Sequence, residues 1–136
     1  MEENITSKLE RCRHDMSPST LAYIGDAVYE LFVRTRMATR YNISAHELNK
    51  KTVALVNAKA QAEMLKRLEG MLNEEEADIV RRGRNTKSSN VPRHTSPIQY
   101  RYATGFEALI GYIYLKGDYD RLRYLLEMCL NDDNLS

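Results

Sequence analysis

The 136 residues are the length of one domain, 43% hydrophobic and 29% charged, with a formal net charge of +1. That balance excludes a disordered chain, and the near-neutral charge taken alone argues neither for nor against nucleic acid. No stretch approaches the roughly 18 uncharged apolar residues of a membrane span. The polar opening "MEENITSKLERCRHD" has no apolar segment of the secretory kind. Cys12 and Cys129 lie too far apart for a metal-ligand or redox spacing, so a reducing cytosol and a cytoplasmic protein are expected.

In chain order, "SPSTLAYIGDAVYELFVRTRM" opens with Ser17 as N-cap and Pro18 at the first helical position. Leu21, Ile24, Val28, Leu31 and Phe32 follow at helical spacing and predict the core-facing stripe. "NISAHELNKK" offers Ser44 and Glu47 as a capping box before a helical pattern that runs to about Leu68 and stops at Gly70. Thr52 to Val56 is a candidate break within it. "LNEEEADIVRRG" has Asn73 as N-cap, three glutamates in the first turn where the helix dipole favours them, and Gly83 near its end. Residues 83 to 97, "GRNTKSSNVPRHTSP", carry loop chemistry. A helical pattern resumes from about Ile98 to Lys116, Gly117 breaks it, and a last helix spans about Tyr119 to Leu130. The "IGYIYL" stretch is β-branched and aromatic, but no second strand exists to pair with it, so a single all-α domain is expected.

Two carboxylates stand out. In "FEALIGYIYL", Glu107 sits within an apolar run and falls on the same helical face as Ala103, Phe106, Ile110 and Tyr114. An ionised carboxylate taken out of water needs a partner, so Glu107 either pairs with an arginine, reaches water, or holds a metal. Asp26 falls on a side of its helix shared with Ala22 and Tyr23, roughly opposite the Leu21/Ile24/Val28/Leu31 stripe. An aromatic there suggests a second contact surface, such as another subunit. Glu30 has a local partner in Arg34 at i+4. No P-loop and no Ser-His-Asp or Cys-His arrangement is evident, and His14, His46 and His94 have no assigned role.

These residues form motifs with a family likeness. "LAYIGDAVYE" resembles the signature of the ribonuclease III endonuclease domain, and "FEALIGYIYL" resembles that family's second acidic segment. "VNAKAQAEML" and "RRGRNTKS" between them, with no further chain beyond the nuclease domain, resemble the compact Mini-III branch. The resemblance covers roughly residues 17 to 130. It implies a helical catalytic domain over 17–132, after a polar extension at 1–16 and before a tail at 133–136, with no separate double-stranded RNA-binding domain. It implies that Asp26 and Glu107 are the catalytic and metal-holding residues and that the cofactor is Mg²⁺. Larger members of the family carry further carboxylates where this chain has Ala22 and Thr104. The resemblance also implies a homodimer cutting double-stranded RNA, for which Tyr23 is the expected interface residue. Its expected substrate is the 23S ribosomal RNA precursor, matured at both ends, with a ribosomal protein as candidate helper.

Between Asp78 and Glu107 the chain has no acidic residue, yet it carries Arg81, Arg82, Arg84, Lys87, Arg93 and Arg101. Lys and Arg give affinity for phosphates without sequence information, and duplex RNA is read mainly by shape. Arg84, Lys87 and Arg93 are the leading RNA contacts, with Arg81 and Arg82 as helix-end alternatives and Lys59 as a weaker candidate. The competing reading is a non-catalytic RNA-binding module that has kept the fold, which Ala22 and Thr104 favour.

Overall fold

The helices that build the domain each begin at a side chain that accepts one of their free amide hydrogens. The structure is a computed structural model that describes residues 15–86 and 91–131. Cys12, His14, Lys87, most of the N-terminal extension and the C-terminal tail lie outside the described residues. Helix α1 (Pro18–Arg40) starts at Ser17, whose Oγ accepts from the Thr20 amide at 3.2 Å. Helix α2 (Ala45–Val56) starts at Ser44, which accepts from the Glu47 amide. Asn57 then separates α2 from α3 (Ala58–Leu68): its Nδ2 donates to the Val53 carbonyl while its Oδ1 accepts from the Ala60 amide. The break therefore falls one residue beyond the Thr52–Val56 window.

A 3₁₀ turn (Glu69–Met71) leads to α4 (Glu74–Arg84), which opens with a complete Asn73/Glu76 capping box. Helix α5 (Pro97–Lys116) is capped by Ser96 and stopped by Gly117 at φ +80°, and α6 (Tyr119–Cys129) follows. No strand occurs among the described residues, as the all-α expectation required.

Helix α5 is the axis of the domain and packs against α1, α3 and α4. Its run from Phe106 to Ile113 is buried except for Glu107, which is half-buried. Tyr29 of α1 meets Phe106 edge-on with ring centroids 5.0 Å apart, and its hydroxyl donates to the Leu55 carbonyl at 2.7 Å. At the far end, Arg121 of α6 donates to Glu76 at 2.7 Å and to the Met71 carbonyl at 2.8 Å. That contact satisfies a glutamate only 4% exposed.

The core side of α1 differs from the one its sequence pattern predicts. The buried face is Leu21, Ala22, Gly25, Tyr29, Val33 and Met37. Ile24, Val28 and Phe32 are half-buried, and Leu31 is 66% exposed. Helix α1 has two apolar stripes, and the one holding the small residues Ala22 and Gly25 is turned inward because only it lets α5 approach closely.

Candidate active site

Two glycines set the depth of the site. A Cβ placed on Gly25 would lie 1.7 Å from the Glu107 carbonyl oxygen, and one on Gly111 would lie 2.0 Å from the Leu21 carbonyl oxygen. Helices α1 and α5 thus cross backbone to backbone, closer than any side chain permits. Asp26 follows Gly25 directly, and Glu107 lies one turn before Gly111. The crossing brings their carboxyl groups within hydrogen-bonding reach.

Both carboxyls open into a pocket of ≈ 330 Å³, lined also by Ser19, Ala22, Tyr23, Thr86, Tyr100 and Thr104. Burial first, then the hydrogen bond and charge of Asp26, push the Glu107 carboxyl up to about 9. A side-chain hydrogen bond from Gln61 of α3 acts in the opposite sense. Among the described residues no lysine, arginine or histidine forms an ion pair with either carboxylate. The arginine-pair explanation of Glu107 is thereby removed. Its neighbour is a second acid, and the two stay together only by sharing a proton or a cation.

The residues present fit a hard divalent cation. Mg²⁺ takes one or two protein carboxylates and completes its shell with water and phosphate oxygens. Two adjacent carboxylates in a polar pocket, without thiolate or imidazole, are that donor set. No cluster of three or more His, Cys, Asp or Glu occurs among the described residues. Ala22 and Thr104 do line the pocket, but without carboxylates, and Thr104 spends its hydroxyl on the Tyr100 carbonyl at 2.9 Å.

None of the candidate basic residues lines this pocket itself. Arg81 is ion-paired with Asp78 within its own helix, and Arg82 is exposed at the end of α4. Arg84 is half-buried, its guanidinium 4.2 Å from the centre of the Tyr102 ring. Arg93 is exposed in the loop, and Lys59 is exposed in the first turn of α3. Thr86 and Tyr100, which bracket the loop in sequence, both line the pocket. The described residues at both ends of the segment therefore reach the pocket, and two of its arginines already have intramolecular contacts. Gln61 escaped the sequence reading, since nothing local marks one glutamine in a polar stretch.

The two central helices of this all-α domain thus cross at glycines and bring an aspartate and a glutamate into one pocket. Residues 19–118 match the family model described as Ribonuclease III domain. Mini-ribonuclease 3 of Thermoanaerobacter sp. is 54% identical over 113 residues, 83% of this chain and 80% of that protein. Mini-ribonuclease 3 of Symbiobacterium thermophilum is 46% identical, over 82% of this chain and 86% of the relative. A crystal structure of a Fusobacterium nucleatum protein superposes with a TM-score of 0.79 at 32% identity, covering 88% of this chain and 95% of that one.

The chain belongs to the ribonuclease III family and is an endoribonuclease of that type. The reading as a non-catalytic module is thereby set aside.

Proposed function

We propose that the protein is a Mg²⁺-dependent endoribonuclease that cuts double-stranded RNA as a homodimer in the cytoplasm, maturing the ends of 23S ribosomal RNA precursor. The observation that carries the metal assignment is the meeting of Asp26 and Glu107 in one pocket without a cationic partner among the described residues. Bound there, Mg²⁺ would polarise the scissile phosphodiester and lower the pKa of the attacking water. The chain's own part is to hold the two carboxylates in one orientation and to seat the backbone along the adjoining basic segment. The RNA substrate and the helper ribosomal protein are what the resemblance of the sequence motifs to the Mini-III branch implies.

The dimer is supported by what α1 leaves outside. Tyr23 is 81% exposed and Leu31 66% exposed. With Ile24, Ala27, Val28 and Tyr114 they line an apolar groove that also borders Asp26. A second groove of ≈ 500 Å³ continues it past Phe32 and Tyr119. An apolar surface of this kind on a helix otherwise rich in charge is suited to a self-complementary contact, and two-fold symmetry gives one site per RNA strand.

The test is cleavage of duplex RNA with and without Mg²⁺. The parent should cut only with the metal. Asp26→Asn should lose cleavage by orders of magnitude at unchanged melting temperature, because it alters charge without volume. Retained cleavage in Asp26→Asn removes Asp26 from the metal site. The metal-free protein adds a pH signature. Glu107 has a folded pKa above its unfolded one, so its stabilising contribution is complete below the usual carboxylate range and is lost as pH rises towards about 9. Mg²⁺ should offset that loss.

The basic segment has its own test. Replacing Arg84, Lys87 and Arg93 with alanine should weaken duplex binding and reduce the salt slope by about 0.9 or less for each phosphate that is no longer neutralised. Because Arg84 lies on Tyr102, the triple variant should also lose about 1 kcal/mol of stability or less. A slope equal to the parent's would show that the segment is only solvated.

A further inference from the structure

Apart from Ala22, every side chain lining the pocket of Asp26 and Glu107 carries either an acid or a hydroxyl. Among the described residues no lysine, arginine or histidine lines it. Beyond the metal, the pocket therefore meets its substrate with neutral hydroxyl groups alone.

Their hydrogen bonds separate the hydroxyls that are engaged from the one left for a ligand. Thr86 donates to the Arg82 carbonyl at 3.0 Å, and Thr104 donates to the Tyr100 carbonyl at 2.9 Å. Ser19 is exposed in the first turn of α1, and Tyr23 is 81% exposed, so both hydroxyls are met by water. Tyr100 differs. It is half-buried, yet it bonds other described residues through its backbone only, and its hydroxyl makes no hydrogen bond among them. A tyrosine whose ring is taken out of water ordinarily finds a partner for its hydroxyl.

Tyr100, Thr104 and Glu107 share one face of α5 at i, i+4 and i+7. Two helical turns, about 10 Å, separate the first from the last. Long helical side chains lean towards the N-terminus, which carries the Tyr100 ring away from Glu107. A phosphate seated at the carboxylates is therefore out of its reach, and a neighbouring nucleotide of the same strand is within it. Phosphate oxygens are held best by charged donors, which the pocket lacks. A ribose 2′-hydroxyl is neutral and both donates and accepts, as a phenol hydroxyl does. Duplex RNA displays these groups in its wide minor groove, and they are what distinguishes it from DNA.

We propose that Tyr100 is a specificity residue: its hydroxyl hydrogen-bonds the 2′-hydroxyl of a nucleotide beside the cleaved bond, so that the pocket itself tells RNA from DNA. The proposal rests on the reading of this pocket as the place where duplex RNA is cut, and adds to it the sugar contact.

The test places a single 2′-deoxynucleotide at each position within a few nucleotides of the cut, in an otherwise all-ribose duplex. The ratio kcat/KM is measured at saturating Mg²⁺. Water is the attacking group in the proposed reaction, so a missing 2′-hydroxyl reports recognition and not chemistry. In the parent at least one position should cost about fivefold, the worth of one hydrogen bond. Tyr100→Phe, which removes the hydroxyl alone, should lose about fivefold on the all-ribose duplex and nothing further when that position is deoxy. At every other position its response should equal the parent's, and its melting temperature should be unchanged.

Tyr100→Phe with the parent's kcat/KM overturns the proposal. So do deoxy losses that multiply with the variant's own loss at every position, a result that would move the hydroxyl's contact to a phosphate. A parent indifferent to every single deoxy substitution overturns it without any variant. A parent that does not cut duplex RNA at all would instead overturn the reading beneath it.

Discussion

Gly25→Ala should cost the protein both its stability and its site, by one methyl group. Within a helix, glycine to alanine ordinarily stabilises by about 1 kcal/mol through propensity alone. Here the added carbon would meet the Glu107 carbonyl oxygen at 1.7 Å and the Gly111 amide nitrogen at 2.8 Å. Both are backbone atoms, so no rotamer change relieves the clash and the two helices must move apart. Overpacking typically costs about 1–3 kcal/mol and occasionally more, and a backbone clash between the two most extensively packed helices belongs at the upper end.

The displaced helices are the ones that carry Asp26 and Glu107. Cleavage should therefore fall even at temperatures where Gly25→Ala remains folded. Circular dichroism melting and single-turnover cleavage at low temperature measure the two effects separately. Gly70→Ala is the control: an added Cβ there meets nothing within 4 Å, and its melting temperature should be level with the parent or slightly higher. A Gly25→Ala protein with the parent's melting temperature and rate would mean that α1 and α5 do not cross at this glycine.

The same crossing explains what the sequence disclosed and what it withheld. Local chemistry was readable. Ser17, Ser44 and Asn73 cap the helices assigned to them because a short polar side chain before an apolar periodicity has few other uses. The break at Asn57 was displaced because one asparagine both ends α2 and begins α3, leaving no interval of loop residues to mark it. The orientation of α1 was not readable from periodicity. Two apolar stripes compete on that helix, and the bulkier one, with Val28 and Leu31, has the stronger look of a core. The smaller one is buried because its approach to α5 depends on the absence of side chains, which hydrophobic periodicity does not register.

The carboxylates were legible as a pair through their motifs. That they would meet required the glycines on both helices. Arg81 and Arg84 show the converse. A run of cations in sequence says nothing of which heads are already engaged, here with Asp78 and with the ring of Tyr102.

The outward stripe of α1 leads to the second large effect. Tyr23→Glu should convert the protein to a monomer. Tyr23 is 81% exposed, so its removal disturbs no core packing and helicity should fall only modestly, while the melting temperature loses the part that dimerisation supplies. In the proposed dimer it faces an apolar groove, and the substitution places one carboxylate on each side of the axis. Uncompensated like charges in such an interface cost several kcal/mol, and about 1.4 kcal/mol is tenfold in association. The dimer constant should then weaken by roughly a hundredfold or more, which sedimentation at micromolar concentration resolves.

Tyr23 also borders the site pocket, so a loss of activity in this variant alone is ambiguous. Leu31→Glu removes the ambiguity. Leu31 lines both apolar grooves but not the site pocket, and it is 66% exposed. Both variants should sediment as monomers and lose paired-strand cleavage together, with Asp26 and Glu107 intact on each chain. If Leu31→Glu remains dimeric and active while Tyr23→Glu is inactive, Tyr23 serves the substrate and the outward stripe of α1 is not the interface. If both remain dimeric and fully active, the subunits meet elsewhere.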